Sequence, residues 1–216
     1  MEIKLNNFTI VCDKEINYIE EIIETLENKT ASILSFFELD KLEKNKKIII
    51  YTDRKKYKQH ILQYEKEFKD WMCADTFDGN INLLEITEAR KTQEHNDMTI
   101  TEFTKVILHE FVHAAQQEIN QNSKDVVWYW EALATNLSGQ KYNIINLSNC
   151  DFNSLQKDFN NTEKAYNYSF TLGKFMLENY PKSKLLEYVR NKDLLKKEAL
   201  NIFYKAKQSQ TKKQVK

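Results

Sequence analysis

The segment His109-Glu110-Phe111-Val112-His113 sets two of the chain's four histidines four residues apart, with a glutamate beside the first. On a helix, positions i and i+4 project from the same face. Two imidazoles placed that way can bind one Zn²⁺, each at about 2.0–2.1 Å. The Glu110 carboxylate then lies beside the metal rather than on it, where it can take a proton from a water held there. Leu108, Phe111, Val112 and Ala114 surround the pair. This predicts partial burial, and a buried imidazole needs a partner.

A catalytic zinc site takes three protein ligands and keeps one position open. Trp128-Tyr129-Trp130-Glu131-Ala132-Leu133-Ala134 places a single acid in an apolar helix, after a polar break at residues 121–124. An ionised carboxylate in such surroundings is costly unless it is paired or metal-bound. The break lets the second helix fold back against the first, which would complete a His109, His113 and Glu131 set holding one zinc per chain. The other reading of Glu131 is a helix N-terminal acid facing the macrodipole.

The elements that must position these residues follow from periodicity. Residues 3–11 (IKLNNFTIV) read as a strand, and 14–39 as an amphipathic helix with Ile22, Ile23, Leu26, Ile33, Leu34 and Phe37 at helical spacing. Ile48-Ile49-Ile50-Tyr51 is a continuous apolar run, which suits a central strand. Asp53 is a cap for a helix reaching to about Phe68. Asp78-Gly79 signals a turn before a strand over 80–86, and residues 87–97 read as a loop. Thr99 and Glu102 form a capping box for the helix that carries the histidines, up to about Ile119. A helix over 126–137 ends near Gly139. Residues 146–161 read as mostly loop with a short helix near Ser154. Helices follow over 162–179, 183–190 and 194–205, the first stopped by Pro181. A polar, Lys-rich tail from residue 209 has a disordered composition. The expected fold class is therefore α+β: a small mixed sheet with helices over 1–98, then a mostly helical half over 99–208.

Composition removes several function classes. Lys+Arg and Asp+Glu both number 32, so bulk positive charge is available neither for nucleic acid nor for an anionic membrane surface. No uncharged apolar run approaches the roughly 18 residues of a membrane helix. The first residues lack an apolar stretch of the secretory kind. The three cysteines, Cys12, Cys73 and Cys150, have no metal-site or disulfide spacing and read as free thiols. A cytoplasmic protein is the expectation. His60 and His95 read as surface histidines, and Phe36, Phe37, Trp71, Trp128 and Phe175 as core.

The run from His109 through Ala114, Ala115 and Gln116, followed by Trp128-x-x-Glu131-x-x-Ala134, resembles the gluzincin metallopeptidases. Within them it is most similar to the small bacterial peptidase-MA-like group, whose core is shared with thermolysin and its related aminopeptidases. The resemblance implies a zincin-like catalytic domain over residues 1–208 and a peptide or protein substrate. It implies peptide-bond hydrolysis by a zinc-activated water with Glu110 as general base. It also implies that Asn80, Ile81 and Asn82 lie on an edge strand that pairs with substrate backbone, and that Tyr166, or else Tyr168, stabilises the oxyanion. Two departures stand out. Ala132 replaces a glycine common after the ligand glutamate, and Thr135 stands where a thermolysin-type Asp would orient a ligand histidine. No GxMEN-like amine-binding motif lies upstream, which disfavours aminopeptidase action. The alternative from another class is a zincin-fold regulatory or binding protein with a zinc site and narrow or no peptidase activity. A glutamate beside the ligands that is not itself a ligand favours chemistry.

Overall fold

A computed structural model describes residues 1–5, 8–42, 46–77 and 79–214. The fold is α+β, with a small mixed sheet near the N-terminus and a mostly helical remainder. The chain divides into two units, Met1–Ala115 and Gln116–Lys216.

The first unit is built on a five-stranded sheet of order β1-β2-β3-β5-β4. Its strands are β1 (Glu2–Lys4), β2 (Phe8–Cys12), β3 (Lys46–Tyr51), β4 (Ala74–Phe77) and β5 (Asn80–Leu84). β3 is central, as its apolar run predicts. It pairs in parallel with β2 (Ile10 opposite Ile48) and with β5 (Ile50 opposite Leu83). β1 and β4 add antiparallel edges. The crossover between β2 and β3 is helix α1 (Ile19–Phe37), which buries Ile22, Leu26, Thr30, Ile33, Leu34 and Phe37. That 4-4-3-1-3 spacing is one helical stripe.

Several elements differ from the sequence expectation. The single strand over 3–11 is two antiparallel strands, with the Leu5 N–H donating to the Phe8 carbonyl at 2.9 Å. Residues 6 and 7 lie outside the described residues, as does Asp78 of the expected turn. Gly79 of that turn has φ +73°, the left-handed backbone glycine accepts most easily. Helix α2 (Arg54–Ile61) starts on its expected cap, the Asp53 carboxylate accepting from the Lys55 N–H at 2.7 Å. It stops at Ile61 rather than near Phe68. Tyr64, Phe68, Met72 and Cys73 instead turn back onto Tyr57, Ile61, Leu84 and Ala89, a packing that a continued helix would not reach. The segment 87–97 is not all loop. It holds the short α3 (Ile86–Ala89), capped by Glu85, and a 3₁₀ turn over Gln93–His95.

Helix α4 (Ile100–Ile119) closes this unit and leads into the next. Its capping box forms as expected: the Thr99 N–H donates to the Glu102 carboxylate at 2.8 Å, and the Glu102 N–H to the Thr99 hydroxyl at 3.2 Å. Phe103, Ile107, Leu108, Phe111, Val112, Ala114 and Ala115 are buried. Phe111 meets Phe8 edge-on, with ring centroids 6.3 Å apart.

The second unit packs α5 (Val127–Leu137), α6 (Phe152–Lys157), α7 (Ala165–Asn179), α8 (Lys182–Arg190) and α9 (Lys192–Gln214) around Trp128, Leu133, Leu155, Leu172, Met176, Leu186 and Ile202. The expected polar tail is helical through Gln214. Gln210 explains why the helix persists: its side chain accepts from the Leu147 N–H and donates to the Ile145 carbonyl, both at 2.9 Å. Of the aromatics expected in the core, Phe37 and Trp128 are buried and Phe36 and Phe175 half-buried. Trp71, in the irregular stretch before β4, is 45% exposed. The three cysteines are free thiols. Among the described residues no helix is long and apolar enough to cross a membrane.

The capping box makes a stability prediction. Thr99→Ala removes the hydroxyl that satisfies the Glu102 N–H. It should destabilise the protein by about 1 kcal/mol, read as a lower urea midpoint with an unchanged slope.

Candidate metal centre

The histidine spacing does on α4 what a helix dictates. His109 and His113 lie one turn apart, with ring centroids 4.6 Å apart and planes at 89°. Glu131 lies in the first half of α5. One ligand atom from each of His109, His113 and Glu131 falls within 4.8 Å of the other two. The three residues are only 7%, 5% and 8% exposed. Two imidazole nitrogens and a carboxylate oxygen, converging and shielded from water, form a group that could hold a metal ion. The donor set suits zinc.

Glu110 is also buried, 8% exposed, and stands outside that donor group. Its Oε2 accepts from the Thr76 hydroxyl at 2.6 Å. The same hydroxyl lies 3.2 Å from the Glu110 backbone carbonyl. Burial first, and the Glu110 charge second, push the nearby Cys73 thiol up to about 12. That thiol stays protonated and unreactive at neutral pH.

Local packing fixes α5. The Asn136 side chain donates to the Ala132 carbonyl at 2.8 Å and to the Phe170 carbonyl of α7 at 3.1 Å. Gly173 on α7 sits where a Cβ would meet the Ala132 carbonyl oxygen at 2.5 Å. The residue after Glu131 is thus in near backbone contact with α7. Gln116 adds a bond from its side-chain amide to the Trp130 carbonyl at 3.3 Å. Thr135 stands one turn after Glu131 on the same helix. The hydroxyl donates to its own helix, 2.6 Å from the Glu131 carbonyl and 3.3 Å from the Ala132 carbonyl.

Asn80, Ile81 and Asn82 do not form an edge: β5 is hydrogen-bonded to β3 on one side and β4 on the other. Its backbone groups are already paired, and Ile81 and Asn82 are buried. The edge strand next to β5 is β4. Tyr166 is 37% exposed, and its ring stacks on Tyr142, beyond the end of α5. Tyr168 is buried two residues further along α7.

Two residues of β4 were not legible as site residues. Thr76 meets Glu110. Its neighbour Asp75 points to the other face of the strand, as the pleat requires. There Asp75 accepts from the Asn82 amide at 3.1 Å and the Tyr57 hydroxyl at 3.2 Å, with His60 Nε2 at 3.4 Å. Burial, then the Asp75 charge, raise the Tyr51 and Tyr57 phenols above their usual range. His60 is consequently not a surface histidine. It packs against Tyr51, Tyr64 and Phe77. His95 is half-buried, with its Nε2 at 2.8 Å from the Trp71 carbonyl. The turn signal at Asp78-Gly79 implies a hairpin, and a hairpin needs a strand on each side; that was the available clue to β4.

A cavity of about 550 Å³ is lined by Lys14, Arg54, Lys55 and Lys58 among others, and contains none of the cluster residues. Comparison with known proteins finds no family model, no curated protein and no solved structure that matches this chain.

The close approach at Gly173 is testable. Gly173→Ala forces a methyl against a backbone carbonyl that cannot rotate away. It should cost about 1–3 kcal/mol in chemical denaturation and, by moving Ala132, weaken metal binding in a competition titration with a chromogenic chelator.

Proposed function

We propose that the protein is a zinc-dependent metallopeptidase with a zincin-like arrangement of the gluzincin type. The observation that carries this reading is the convergence of the buried His109, His113 and Glu131 donors within 4.8 Å, with the non-ligand carboxylate of Glu110 adjacent in sequence on the same helix. A purely structural metal site has no use for that fourth group, whereas hydrolysis needs a base. Two imidazoles and a carboxylate are a donor set that leaves a position open on zinc.

Zinc bound there would polarise the scissile carbonyl and acidify water. The remaining steps belong to the chain. Glu110 takes the proton from the attacking water and returns it to the leaving amine, so one carboxylate acts as base and then as acid. Substrate backbone pairs with the free side of β4 rather than with Asn80, Ile81 and Asn82, since only an unpaired edge can accept another strand. Tyr166, or else Tyr168, is the candidate for stabilising the oxyanion.

Metal analysis and peptide-library cleavage, run on the same preparations, test this reading. Native protein should carry one zinc per chain and cleave peptides. Glu131→Ala should bind zinc at least about 10-fold more weakly and lose cleavage. Glu110→Gln should keep its zinc and lose about 100-fold or more in kcat. Zinc bound with no peptide cleaved would overturn the peptidase assignment.

A further inference from the structure

Glu110 sits mid-helix on a side chain with three rotatable bonds, and a base must be held within a fraction of an ångström to act repeatedly on the same proton. Nothing on α4 supplies that hold. The contact comes from the sheet: the Thr76 hydroxyl donates to Oε2 at 2.6 Å and lies 3.2 Å from the carbonyl of the same residue. We propose that Thr76 is a positioning residue for Glu110, fixing the carboxylate by Oε2 and leaving Oε1 as the oxygen that takes the proton. The inference rests on the peptidase reading and adds to it a residue that no sequence motif marks.

The hydroxyl can serve this way because its strand is pinned from two directions. β4 pairs with β5, with Thr76 opposite Ile81. On the opposite face Asp75 is held by Tyr57, Asn82 and His60. A displacement of Thr76 relative to Glu110 must therefore disturb a strand pair or a half-buried polar cluster. The Thr76 side chain has one proton to donate, and among the described residues no hydrogen bond to Oε1 accompanies the one to Oε2.

Two substitutions separate the hydroxyl from the shape of the residue. Thr76→Val keeps the branched volume and a strand-favouring side chain but removes the donor. Thr76→Ser keeps the donor and removes the methyl. Each is compared with native protein for zinc content, thermal midpoint, and kcat and KM on a peptide that the native protein cleaves. The expected result is a Thr76→Val protein with native zinc content and midpoint, KM within about twofold, and kcat down about 10- to 100-fold. Thr76→Ser should recover kcat to within about threefold of native. A native kcat in Thr76→Val overturns the proposal. So does a Thr76→Ser protein as slow as Thr76→Val, because packing rather than the hydroxyl would then be the cause. If native protein binds zinc but cleaves nothing, the peptidase reading itself fails, a result distinct from either of these.

Discussion

Burying two imidazoles and a carboxylate among apolar side chains is the constraint on which this structure turns. Each group loses its hydration, and each must regain an equivalent interaction inside the protein. His109 and His113 are buried on a helix that also buries Ile107 and Phe111, and Glu131 on one that also buries Trp128 and Leu133. Apolar surroundings admit such polar groups only if each finds a partner. Their ligand atoms do converge.

The rest of the fold can be understood as support for that convergence. α4 is started by a reciprocal cap at Thr99 and Glu102, so the register of its histidines is set about three turns before they occur. α5 is fixed through the tight approach of Gly173 to Ala132 and through Asn136, which bridges to the Phe170 carbonyl. The sheet supplies a second kind of support. Its edge strand β4 carries alternating residues to two faces, with Thr76 on Glu110 and Asp75 in the His60 and Tyr57 cluster.

Much of this is legible in the sequence. The histidine spacing, the capping box, the central isoleucine strand and the glycine after α5 each have a local physical cause, and each appears where the local pattern puts it. What was not legible depended on partners distant in sequence. Ala74-Asp75-Thr76-Phe77 has no strong strand pattern, yet pairing with β5 makes it a strand and thereby removes β5 from the edge. His60 looked like a surface residue on a polar helix until the stretch after α2 folded Tyr64 and Phe77 over it. Residues 209–214 looked like a tail because Lys and Gln dominate them; the bonds that keep Gln210 helical are made to residues 145 and 147.

The brevity of β4 has a consequence for the chain's behaviour in concentrated solution. Four residues give an exposed ladder of about 13 Å, with a left-handed glycine at the following turn and an inward-pointing aspartate in the middle. An open edge is normally a template on which further copies of a protein can stack into fibrils. Short length and an inward charge are two of the devices that prevent this. The strand is therefore long enough to hold Glu110 from one side and too short to seed the association of one chain with the next.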